Sequence, residues 1–163
     1  MNSLSSTKKG LIITGIIILS SFVSFYLFHL PTEGLSQYLS FSFFILGLLW
    51  VLFSAKKNMT EISIKNYFSE GFKAFIVVAF FMAIYVFVFY RLNPQILESK
   101  IAENNELIKL SKDKTALEIE QNARQLRNVF MPMMITITVV MYLFMGALVS
   151  LVTGGFLHHF NKK

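Results

Sequence analysis

Few side chains in this sequence have the type and spacing to do chemistry. His29, His158 and His159 are its three histidines, and it contains no cysteine. Disulfides, thiolate metal sites and cysteine nucleophiles are therefore excluded. His158 and His159 are adjacent, so on a helix their side chains diverge by about 100° and chelate poorly as a pair. His29 stands alone at the end of an apolar run. All three read as histidines at a membrane boundary rather than as ligands. No HExxH, P-loop or GxSxG pattern occurs, which removes the commonest zinc, nucleotide and serine-hydrolase signatures. The sequence thus offers no catalytic, cofactor-binding or metal-ligating residue. The expectation is a protein that is not an enzyme and carries no cofactor.

The acids and bases are placed as informatively as the histidines. Four runs, at about 11–30, 35–54, 71–90 and 129–156, contain a single charge between them, Lys73, one turn inside the third. Ionisable groups within lipid are costly and mark ion pathways, proton relays or catalytic sites. Their absence from deep positions weighs against a proton-coupled transporter, a voltage sensor or an intramembrane metalloprotease. Lys73 is close enough to the end of its run to snorkel back to the surface.

These runs define the elements. The 163 residues are 55% hydrophobic and 15% charged, against about 25% charged in a soluble domain. Each run has roughly the length a membrane-spanning helix needs. The first has a basic start but ends in Phe28-His29-Leu30-Pro31, a poor signal-peptidase site, so it is expected to be a retained span. Pro31 to Gly34 is too short a turn for anything but an antiparallel pair, with Tyr26 and Tyr38 flanking it at the depth that suits interfacial aromatics. Ala55 to Glu70 is a polar connector. Ile64, Phe68 and Phe75 are at helical spacing, so the third helix is expected to begin before its span. Asn58-Met59-Thr60 matches a glycosylation sequon and reads as a chance occurrence. Pro132 is expected in the first turns of the fourth span, where proline is least disruptive.

Between the third and fourth spans lies the one long polar stretch, 93–128. Asn93-Pro94 has the pattern of an N-cap and first helical residue. Leu97, Ile101, Asn104 and Ile108 recur at intervals of four, three and four. Ser111 to Lys114 interrupts them, and Thr115 to Glu118 has the spacing of a capping box. Ala116, Ile119, Ala123, Leu126 and Phe130 then carry an apolar stripe into the fourth span. Two striped helices joined by a short turn predict an antiparallel helical hairpin, with Glu120 and Arg124 as an i,i+4 pair. Asn104 either fixes the register of the stripe or is exposed. The hairpin is either a structural extension of the bundle or a docking surface.

Orientation follows from lysine and arginine. Lys8, Lys9, Lys56, Lys57, Lys65, Lys73, Lys162 and Lys163 fall on one side, opposed only by Glu61 and Glu70. The other side balances seven bases, including Arg91, Arg124 and Arg127, against seven acids. The positive-inside rule then places both termini in the cytoplasm and 93–128 outside. The overall charge of +6 needs no nucleic acid to explain it.

Small residues mark close helix approach: Gly146, Ser150 and Gly154 on the fourth span, Ala79 and Ala83 on the third, and Ser20 and Ser24 on the first. Packing within one chain is the simpler use of such ridges, and a homo-oligomer is the other. The halves show no internal repeat, so an inverted-repeat transporter lacks support.

ISIKNYFSEGFKAF (Ile62 to Phe75), RLNPQILESK (Arg91 to Lys100) and GALVSLVTGGFLHHFNKK (Gly146 to Lys163), in this order after two spans, resemble the family of domain of unknown function 4199. These are small four-span membrane proteins of bacteria. The resemblance implies an inner-membrane location and brings no activity or site residue. The expectation is an all-α membrane protein, one membrane domain over 1–163, built as a four-helix bundle with an extramembrane antiparallel helical hairpin. Its expected role is interaction, as a scaffold or accessory subunit, with the lipid bilayer and another membrane or periplasmic protein as partners. A small oligomeric channel or transporter is the alternative.

Overall fold

A computed structural model describes residues 4–31, 34–56, 63–111 and 115–160. Five helices account for nearly all of them: α1 (Ser6–Tyr26), α2 (Leu35–Lys56), α3 (Ile64–Leu92), α4 (Pro94–Ser111) and α5 (Ala116–Phe160). Among the described residues there is no strand. α1, α2, α3 and α5 are each long and apolar enough to cross a membrane. The sequon at 58–60, the charges at Glu33, Lys57, Glu61, Lys112, Asp113, Lys114, Lys162 and Lys163, and most of the turn expected at 111–114 lie outside the described residues.

The helix ends refine the sequence reading. α1 begins at Ser6, before the apolar run, because Ser5 is extended and its Oγ accepts the Lys8 N–H at 3.4 Å. Lys8 and Lys9 are therefore helical. α1 stops at Tyr26 through backbone bonds that wrap back onto its last turn. Phe28 N–H donates to the Val23 carbonyl and Leu30 N–H to that of Ser24. His29 adopts a positive φ of 51° in this turn. α3 starts at Ile64, as the spacing predicts.

One expectation holds and one needs correction. α4 begins at Pro94 with Asn93 immediately before it, as the pattern predicts, and the Asn93 carbonyl accepts the Ile96 N–H. Asn93 also closes α3: its Nδ2 donates to the Phe89 carbonyl at 2.9 Å and its Oδ1 accepts from Gln95 Nε2, and Pro94 has no N–H to continue the α3 ladder. Pro132 is not in a first turn, because α5 is one helix of 45 residues with Pro132 inside it. The missing N–H removes one i→i−4 bond, and the helix continues through it. Thr115 and Glu118 do form the expected capping box. Thr115 N–H donates to Glu118 Oε2 at 2.7 Å and Glu118 N–H to Thr115 Oγ1 at 3.4 Å.

The chain divides into two compact units, Met1–Met82 with Val139–Lys163, and Ala83–Thr138. The first holds α1, α2, the start of α3 and the end of α5. Its interior is apolar: Ile13 and Ile17 from α1, Phe44, Leu48, Val51 and Leu52 from α2, Tyr67, Ala74, Phe75 and Val78 from α3. Tyr142 of α5 packs edge-on against Phe44, with centroids 5.0 Å apart. The outward faces are equally apolar, with Leu19, Phe80 and Phe144 all more than 60% exposed. Helices apolar all round are the pattern of lipid-embedded segments.

Within this unit the contacts fix which ends lie together. Ser6 at the start of α1 bonds Glu70 near the start of α3. Lys9 lies over Trp50 near the end of α2, and Gly154 near the end of α5 meets Tyr67 near the start of α3. The start of α1, the end of α2, the start of α3 and the end of α5 therefore share one end of this unit.

The second unit holds the end of α3, α4 and the start of α5. Ile101, Ala123 and Phe130 are its buried apolar residues. Tyr90 meets Phe130 edge-on at 5.1 Å. Arg127 Nε and Nη2 donate to Glu98 Oε1 and Oε2 at 3.0 and 2.7 Å. This two-point pair joins α4 to α5 across 29 residues of sequence. The apolar stripe is partly realised: Leu97, Ile108, Ile119 and Leu126 are half-buried, Ala116 is exposed, and Asn104 is half-buried.

Candidate functional site

The small-residue ridge of α5 faces α3. A Cβ at Gly146 would lie 2.5 Å from Phe75 Cγ, and one at Gly154 would lie 2.9 Å from Tyr67 Cβ. Between them Ser150 is fully buried, and its Oγ fills the space where Gly71 lacks a Cβ. Gly71 is thus the α3 counterpart of the ridge, overlooked in the sequence because it sits where the polar connector meets the span. Ala79 is buried and Ala83 half-buried on α3, and Ser24 is buried on α1 with Ser20 half-buried. Ser21 of α1 shares a hydrogen bond with Ser40 of α2 at 3.2 Å. These are packing features: in lipid, helices associate through close van der Waals contact and interhelical hydrogen bonds.

The histidines do not converge. His29 is exposed in the turn after α1, whereas His158 is half-buried and His159 exposed at the end of α5. Among the described residues no three His, Cys, Asp or Glu are close enough to share a metal ion.

Two regions remain with polar organisation. The first is the corner where α1, α2 and α3 meet. Ser6 Oγ donates to Glu70 Oε2 at 2.5 Å, and Lys73 Nζ bonds Glu70 Oε1 at 2.7 Å. Lys73 is half-exposed, as snorkelling predicts, but its charge is paired. Lys9 is 5% exposed, with its ammonium 5.4 Å from the centre of the Trp50 ring. The backbone permits this convergence because Gly10 lets α1 lie against Ala74, whose carbonyl oxygen would be 2.7 Å from a Cβ on Gly10. Sequence reasoning put Lys9 in a polar leader and missed its burial. The cue was Ser5, a good N-cap residue one turn before the apolar run.

The second region is the polar stretch itself. Glu98, Lys100, Glu103, Glu120, Arg124 and Arg127 are tied in pairs. The Arg127 guanidinium bonded to Glu98 holds that carboxyl below the usual range. Against this charged background Leu107, Leu110 and Leu117 are 62%, 78% and 65% exposed. Leu107 and Leu110 are in the second half of α4 and Leu117 at the start of α5, off the stripe that packs inward.

No curated protein and no solved structure matches the chain. A family model does, over residues 8–159, and that range takes in all four apolar helices almost completely. On that match the chain belongs to the family described as protein of unknown function (DUF4199).

Proposed function

We propose that this is a multi-pass protein of the bacterial inner membrane, with both termini cytoplasmic and the α4–α5 segment outside, that works by binding another protein. In this reading α4 and the start of α5 form an antiparallel hairpin beyond the lipid, tied by the Glu98–Arg127 pair. The observation that carries this reading is the trio Leu107, Leu110 and Leu117, each at least 62% exposed within the polar stretch. Exposed apolar side chains within a polar stretch offer area that a partner surface would cover. Loops and extensions on a rigid scaffold commonly carry function.

The competing reading is a small channel or transporter. Purified protein in liposomes separates the two. The interaction role predicts no specific flux, and saturable flux of an ion or solute would refute it. Replacing all three leucines with Gln should abolish capture of the partner while leaving the thermal stability of the bundle unchanged. Loss of both together would assign the leucines to folding instead.

A further inference from the structure

We draw no further inference here: the strongest candidate, the exposed apolar surface of Leu107 and Leu110 in the second half of α4, belongs to the site already described, and nothing in the structure shows what covers it.

Discussion

Adding one methyl group at Gly10 should separate two helices that now touch through their backbones. A Cβ there would sit 2.7 Å from the Ala74 carbonyl oxygen, 3.1 Å from its Cα and 3.3 Å from its carbonyl carbon. All three are main-chain atoms of a helix, so no rotamer change relieves the overlap. Restoring ordinary contact at 3.4 Å moves α1 off α3 by about 0.7 Å, and a gap of that size forfeits roughly a quarter to a half of the dispersion attraction across it. Overpacking of this kind costs about 1–3 kcal/mol. Alanine returns up to about 1 kcal/mol of helix propensity relative to glycine, leaving a net loss of about 1–2 kcal/mol. Gly15 of the same helix is the internal control, because a Cβ there meets nothing within 4 Å. Gly15→Ala should therefore stabilise by about 0.5–1 kcal/mol. Denaturation of both variants in the same detergent measures the difference. If Gly10→Ala proves as stable as Gly15→Ala, α1 and α3 are not in backbone contact.

Three further expectations follow. Reporter fusions after Lys56 and Phe160 should be active with a cytoplasmic reporter, and a fusion at Ser111 with an exported one; the reverse pattern at Ser111 would overturn the orientation. His29→Gly should stabilise the protein by about 1 kcal/mol in thermal melts, since a non-glycine residue at φ 51° is strained by that order; a loss of stability would show that the imidazole matters more than the backbone. Glu98 has its carboxyl pKa lowered by Arg127, so its contribution is present above the ordinary carboxylate pKa and is lost as pH falls through the lowered value. Below pH 4 the Glu98→Gln variant should therefore lose less stability on acidification than the parent, and parallel pH profiles would show that the pair contributes nothing.

Much of this architecture is legible in the sequence because the bilayer imposes it. A run without charge is a span whatever its neighbours do, so the four apolar helices follow from the placement of Lys, Arg, Asp and Glu. The ridge Gly146, Ser150 and Gly154 is equally visible, because close approach demands small residues at helical spacing. Its partner Gly71 is not visible, since contact with Ser150 joins residues far apart in sequence. The same holds for Lys9: its burial depends on Trp50 and Glu70 arriving from other helices. Helix ends are misjudged where backbone chemistry outweighs hydropathy, as where Ser5 starts α1 before its apolar run. In the polar stretch the stripe identifies Ile101, Ala123 and Phe130 as inward. The exposure of Leu107, Leu110 and Leu117 appears only once the helices are placed.

The claim that these leucines meet a partner is tested most directly by photocrosslinking in living cells. A photoreactive residue is placed at Leu110 of the full chain and, separately, at the exposed and charged position Glu120 of α5. The interaction role predicts one discrete adduct from Leu110 that is lost when Leu107 and Leu117 are both changed to Gln, with no such adduct from Glu120. An absence of adduct at Leu110, or the same adducts from both positions, would contradict it.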